Sequence, residues 1–160
     1  MKRTTLITAA VTALIALAAA VPALAVPPSP IKVAGTQTTV DFAHGKFAMR
    51  GSLVGSWQVT GGSAKYMSTS AQLATGTVAF TGCLDSNRNK ACEAGEPKGT
   101  LRLSYTFAAE FNPSTKAFLR GNSIETVLGG AGSFANARGM MTFKHGASGV
   151  STYSGELRLV

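Results

Sequence analysis

The amino-acid sequence predicts an all-β fold, either an antiparallel barrel or a sandwich of about eight strands. No window keeps apolar residues at the i, i+3, i+4 and i+7 spacing of a helix that packs on a core. Short runs of alternating or β-branched residues recur instead, separated by Gly, Asn and Ser. The chain's 18 glycines fit a fold with many tight turns.

The strand pattern is clearest between Thr100 and Phe111, where apolar and polar residues alternate. One face of this run carries Leu101, Leu103, Tyr105 and Phe107. The same criteria applied along the chain predict the strands Thr38–Phe42, Gly45–Met49, Leu53–Thr60, Gln72–Gly82, Thr100–Phe111, Ala117–Leu128, Gly139–Lys144 and Val150–Val160.

The first 25 residues have the pattern of a secretory signal peptide. Lys2 and Arg3 precede an uncharged stretch, Thr4–Ala25, that ends in the small-x-small sequence Ala23-Leu24-Ala25. The alternative is a membrane anchor, but the apolar run is long enough only if its threonines and Pro22 are included. We therefore predict a secreted, extracellular protein whose mature chain has no transmembrane segment.

The mature chain is predicted to comprise a Pro-rich leader, residues 26–36, and one domain, residues 37–160. Removing residues 1–25 takes away two of the 15 basic residues, so the net charge falls from +8 to +6. Charged residues make up only 14% of the chain, which argues against charge-driven disorder or a coiled coil. The basic residues are scattered singly, so we expect no nucleic-acid partner.

The segment 83–99 holds the longest predicted loop, and its oxygen-bearing residues have the spacing of a calcium loop. Counted from Asp85 as position 1, such residues fall at positions 1, 3, 5, 9 and 12, and position 7 offers a backbone carbonyl. Lys90 stands at position 6, where these loops usually have glycine. The alternative is a solvated polar loop. The predicted Ca²⁺ ligands are Asp85, Asn87, Asn89, Ala91, Glu93 and Glu96.

Cys83 and Cys92 bracket this loop and are the chain's only cysteines. Export would place them in an oxidising compartment, so we predict that they form a disulfide. Reactive free thiols are the alternative.

The Gly-rich segment Ile124–Phe143 carries a family resemblance. Its Gly130-x-Gly132 spacing is not a dinucleotide site, because no helix or βαβ unit follows. The segment resembles the GGxGxFxxARG sequence of plant dirigent proteins and, more loosely, of allene oxide cyclases, and the resemblance covers about the last 60 residues. The matching residues are Gly129, Gly130, Gly132, Phe134, Ala137, Arg138 and Gly139, followed by Tyr153, Gly155 and Leu157.

The resemblance implies an eight-stranded antiparallel β-barrel that is often trimeric and encloses an apolar cavity. These families use no metal or organic cofactor, and they hold an apolar substrate in one conformer during coupling or cyclisation. Ser133 stands where some dirigent proteins have an acid, so the sequence departs from the pattern there. The candidate cavity residues are Arg138, Phe134, Tyr105 and Trp57.

Two functions are therefore expected from the sequence. The first is binding of a small apolar ligand, with or without guidance of its cyclisation or coupling. The second is a non-catalytic extracellular surface protein with a calcium-stabilised loop. His44 and His145 are interpreted as turn residues because each precedes a glycine. Glu110 and Glu125, on neighbouring strands, are interpreted as ordinary strand charges rather than a carboxylate pair.

Overall fold

The computed structural model describes residues 28–160, which form one closed barrel of eight antiparallel strands. The predicted signal peptide, residues 1–25, lies outside the described residues. Each strand pairs with its neighbours in the sequence, and β8 pairs with β1 to close the barrel. The strands are β1 Ile31–Asp41, β2 Lys46–Gly51, β3 Leu53–Tyr66, β4 Ala71–Leu84, β5 Lys98–Phe111, β6 Phe118–Gly132, β7 Arg138–Gly146 and β8 Val150–Arg158.

The prediction of an all-β antiparallel barrel is confirmed. All eight predicted strands overlap observed ones, and the alternating residues of β5 face the interior as expected. In the part of the chain that the structure describes, no helix has the length and apolar character needed to cross a membrane.

Two strands, β1 and β3, extend six or more residues beyond the prediction at one end, and the other boundaries differ by smaller amounts. β1 begins at Ile31, so residues 31–36 belong to the barrel and not to a leader. This half of β1 was missed because the inward residue between Val33 and Gln37 is Gly35, which hides the alternation. β3 continues to Tyr66 through exposed residues that pair with β4.

One end of the barrel, here called the closed end, is filled with side chains. The β2–β3, β4–β5 and β6–β7 connections lie at this end. Trp57 packs at 5.4–5.9 Å between ring centroids against Phe80 and Phe143, and Phe80 packs edge-on against Phe134. Tyr153 fixes the nearby backbone, because its hydroxyl accepts a 2.9 Å hydrogen bond from the N–H of Leu53. This cluster is the hydrophobic core.

The β6–β7 connection closes this end of the barrel. Its residues Phe134 and Ala137 are fully buried. The tight turn depends on glycine: Gly132 has a φ of +66°, and a Cβ on Gly130 would clash with the carbonyl of Thr100. The β6–β7 connection therefore forms a plug at the closed end.

Candidate functional site

The other end of the barrel, here called the open end, contains a cavity of about 930 Å³. Its lining includes the β1–β2 turn, residues 42–45, the β7–β8 turn residues Ala147 and Gly149, and Phe111 and Phe118 at the two ends of the β5–β6 connection. Its apolar wall is mainly aromatic and consists of Phe47, Trp57, Val59, Val78, Tyr105, Phe107, Phe111 and Phe118.

Glycines opposite the aromatic side chains keep this cavity open. A Cβ on Gly76 would lie 2.7 Å from Cε1 of Tyr105, and one on Gly62 would lie 2.6 Å from its hydroxyl oxygen. A Cβ on Gly121 would likewise lie 2.5 Å from Cε2 of Phe107. The two rings therefore lie flat against neighbouring strands instead of projecting across the barrel. Side chains at these glycines would force the rings into the space of the cavity.

A chain of four polar side chains crosses one wall of the cavity. Ser123 Oγ lies 3.3 Å from Glu125 Oε1 and 3.1 Å from His145 Nε2. His145 Nδ1 lies 2.8 Å from Ser151 Oγ, which completes the chain. The strands position these groups because Ser123 and Glu125 are alternate inward residues of β6, with β7 and β8 following around the barrel.

Glu125 is the unusual member of this polar chain. It is only 4% exposed, and its Oε2 atom has no hydrogen-bond partner. Tyr105 on β5 and Met141 on β7 stand directly opposite it in the sheet. Burial raises the pKa of the Glu125 carboxyl to about 8, and the hydrogen bond to Ser123 opposes part of this rise. The carboxyl group is therefore protonated at neutral pH.

The pKa of His145 is shifted in the opposite direction, downwards. Its ring lies edge-on to Phe107 at 5.1 Å and stacks on Phe143 at 6.0 Å. Burial lowers the pKa of His145 to about 4, so the imidazole is neutral at neutral pH. Burial also raises the pKa of Tyr105, with a smaller contribution from the charge of Glu125. The wall thus presents uncharged hydrogen-bonding groups among aromatic rings at neutral pH.

The structure separates the four predicted cavity residues into two pairs. Trp57 and Tyr105 line the cavity. Phe134 instead belongs to the plug at the closed end, because the turn after β6 folds it inward there. Arg138 is exposed on the outer surface, where its Nη1 donates to the carbonyl of Ala137, and it lines a groove over β7 and β8. The Gly-rich motif is therefore remote from the cavity.

Two other interpretations from the sequence are corrected. His145 lies within β7 and lines the cavity, whereas His44 does occupy a turn, where it bonds Asp41. Glu110 is an ordinary strand charge as expected, on the outer face and 2.7 Å from Arg120, whereas Glu125 is a buried inward residue.

The sequence groups Glu125 with other residues on one face of β6 but does not show that this face is the inner one. The alternation along β6 places Ser123 and Glu125 on the same face as Val127. The apolar residues Ile124 and Leu128 occupy the opposite face and are exposed, which is the reverse of the usual pattern. Only the register of the closed barrel shows which face is inside.

The predicted disulfide is confirmed, because Cys83 and Cys92 are bonded to each other. Lys90 adopts a left-handed conformation with φ of +70°, the conformation for which glycine is usual at that position. The carboxylate of Asp85 accepts backbone hydrogen bonds from Asn89 and Lys90, at 3.2 and 2.7 Å. The loop is thus tightly curled around its own first residue.

The remaining predicted calcium ligands also bond within the loop. Glu96 accepts hydrogen bonds from the backbone of Ser86 and Glu93, and Asn87 donates to Glu93. The Asn89 side chain accepts from the N–H of Ala91. No set of three or more His, Cys, Asp or Glu side chains within residues 28–160 is arranged to hold a metal. Calcium binding here stays a prediction.

Comparisons with protein-family models, curated proteins and solved structures found no match. The resemblance to dirigent proteins and allene oxide cyclases therefore rests on the residues of the Gly-rich segment and the last strand. It stays a prediction, as does the trimer that it implies.

Proposed function

We propose that this protein is secreted and binds a small apolar molecule inside the open end of its barrel. The observation that carries the proposal is the cavity of about 930 Å³, which has aromatic walls and a few convergent polar groups. Ligand pockets generally have volumes of about 300–1,000 Å³ and this kind of lining. A barrel filled along its whole length would have favoured the purely structural alternative.

Packing at the closed end supports a role for the cavity as a rigid container. The aromatic cluster and the plug fix the closed-end part of every strand, so the strands that form the cavity wall are anchored at that end. Such a container can hold an apolar molecule in one conformer, which is the property needed to guide a cyclisation or a coupling. We extend the proposal to that activity only as the family resemblance implies it.

Secretion is supported by two features of the chain. The Cys83–Cys92 disulfide is typical of proteins from oxidising compartments. The first 25 residues have the composition of a signal peptide.

Native mass spectrometry of the protein purified from the secreting organism tests the proposal most directly. We expect additional mass from a small organic molecule that is released when the protein unfolds. The recombinant protein should in parallel bind the neutral fluorophore N-phenylnaphthylamine. An empty native protein that also fails to bind this probe would refute ligand binding and favour the surface-protein alternative.

A pair of adjacent residues provides matched variants. Ala74 is buried and lines the cavity, whereas Thr75 is exposed on the outer face of the same strand. Ala74→Phe should weaken probe binding by at least about tenfold, because the phenyl group takes up part of the cavity volume. Thr75→Phe adds the same group outside and should leave binding unchanged. Equal effects of the two substitutions would contradict binding in the cavity.

A further inference from the structure

The head group of the ligand can be inferred from the charges around the cavity, and the inference rests on the proposed function. Among the described residues that line the cavity there is no Lys or Arg. The titratable lining groups are Glu125, its neighbours Tyr105 and His145, and His44 at the mouth, which pairs with Asp41 at 2.7 Å. A carboxylate ligand would therefore meet no cation deep in the cavity and would lie beside a buried acid. Burial of an uncompensated charge is strongly unfavourable.

A cationic ligand is disfavoured for a different reason. Glu125 keeps its proton up to a pH of about 8, since its pKa is raised by burial. An ammonium group would bind well only if this carboxyl lost its proton in a site that disfavours the charge. The polar chain beyond it ends in Ser151 and contains no second acid. An uncharged head group needs no such ionisation.

Hydrogen bonding then defines what the head group must contain. Glu125 Oε1 is engaged by Ser123, whereas Oε2 has no partner. If Ser123 donates to Oε1, the proton of the acid sits on Oε2, which then needs an acceptor. If the acid donates to Ser123, Oε2 is a carbonyl oxygen that needs a donor. Oε2 is buried in a residue that lines the cavity, so this contact requires the carboxyl group to rotate about its terminal torsion, which is broad in glutamate, and bring Oε2 to the ligand.

We propose that the ligand is an uncharged apolar molecule whose hydroxyl or carbonyl oxygen hydrogen-bonds the free carboxyl oxygen of Glu125, with its apolar body against the aromatic wall. A hydroxyl matches both proton arrangements of the acid, and a carbonyl matches the one in which Oε2 donates. Tyr105 and Phe107, which are only partly buried, supply flat apolar surface for a ring.

Four probes built on one ring system test this inference: naphthalene, naphthol, naphthoate and naphthylmethylammonium. Quenching of the fluorescence of Trp57, the chain's only tryptophan, reports binding at neutral pH. Naphthol should bind about tenfold more tightly than naphthalene, because it provides the missing partner of a buried polar atom. Naphthoate and naphthylmethylammonium should bind more weakly than naphthol by at least about the same factor.

Two substitutions separate the role of the carboxyl group from that of cavity shape. Glu125→Gln keeps an uncharged planar group with a donor and an acceptor, so naphthol should keep its advantage over naphthalene. Glu125→Leu removes both and should abolish that advantage while naphthalene still binds. Thr126→Leu, the neighbouring change on the outer face, should alter neither affinity.

Several outcomes would overturn the inference. Tightest binding of the ammonium probe, lost in Glu125→Gln, would mean that the carboxyl binds an amine as an anion. Tightest binding of naphthoate would mean an acidic ligand. Equal affinities for naphthalene and naphthol would refute the head-group inference but leave cavity binding intact. If none of the four probes binds, the head-group inference fails, and the proposed function fails with it only if the native protein is empty and N-phenylnaphthylamine does not bind either.

Discussion

Glu125 and His145 give the folded protein a specific dependence of stability on pH. The pKa of Glu125 is raised from 4.5 to about 8, and that of His145 is lowered from 6.5 to about 4. A carboxyl whose pKa is raised by folding lowers the free energy of unfolding as the pH rises from the pKa of the unfolded chain to the pKa of the folded protein. A histidine whose pKa is lowered by folding lowers the free energy of unfolding as the pH falls from the pKa of the unfolded chain to the pKa of the folded protein.

The two effects combine into a plateau followed by a decline. Between pH 4.5 and 6.5 the unfolded chain holds one proton, on the histidine, and the folded protein holds one, on Glu125. Since both states bind the same number of protons, this pair contributes no slope there. Between pH 6.5 and 8 only the folded protein keeps its proton. Rising pH then lowers the free energy of unfolding by about 1.4 kcal/mol per pH unit, or about 2 kcal/mol over the interval.

Glu125→Gln should change the shape of this profile. The variant keeps the buried histidine but has no carboxyl, so its stability should rise up to pH 6.5 and stay level from there to pH 8. Urea unfolding followed by fluorescence of the buried Trp57 gives the free energy at each pH. Glu156→Gln, an exposed carboxylate on the outer face of β8, should keep the decline of the parent protein. An equal slope for the parent and Glu125→Gln above pH 6.5 would refute a buried, protonated Glu125.

Three further predictions concern the closed end. Replacing Cys83 and Cys92 together with serine should lower the free energy of unfolding by about 2–3 kcal/mol, measured in urea, because the short loop is no longer closed in the unfolded chain; an unchanged midpoint would contradict this. Millimolar calcium should raise Tm in a thermal scan, and Glu96→Gln should remove the rise; no rise in the parent protein would exclude the predicted site. Phe134→Ala should cost about 3–5 kcal/mol in urea unfolding yet preserve probe binding; lost binding by the folded variant would place Phe134 in the site.

The strand pattern was predictable because most strands follow simple rules. β5 has apolar residues on one face and polar residues on the other, and its observed bounds, Lys98–Phe111, extend the predicted ones by two residues. β1 did not follow these rules, since Gly35 and Gln37 occupy inward positions where the pattern expects apolar residues. Glycine is tolerated there because the ring of Tyr153 occupies the space a side chain would need.

The cavity was only partly predictable. Trp57 and Tyr105 could be identified because large aromatic residues on strands usually face the interior. The inward position of Glu125 and the burial of His145 depend on how β6 and β7 are placed in the closed barrel. A single strand does not show which of its faces is inside, so Glu125 was interpreted as an ordinary strand charge and His145 as a turn residue.

The two ends of this barrel follow different rules, and the difference supports a function for the open end. At the closed end aromatic rings interlock, and the buried hydroxyl of Tyr153 is hydrogen-bonded. The open end instead keeps a cavity and a buried carboxyl oxygen without a partner, both of which lower stability. Departures of this kind concentrate at functional sites. A valine or leucine in place of Glu125 would remove the unpaired oxygen and fill space. The chain has a glutamate there instead, which supports the proposed binding of a ligand at the open end.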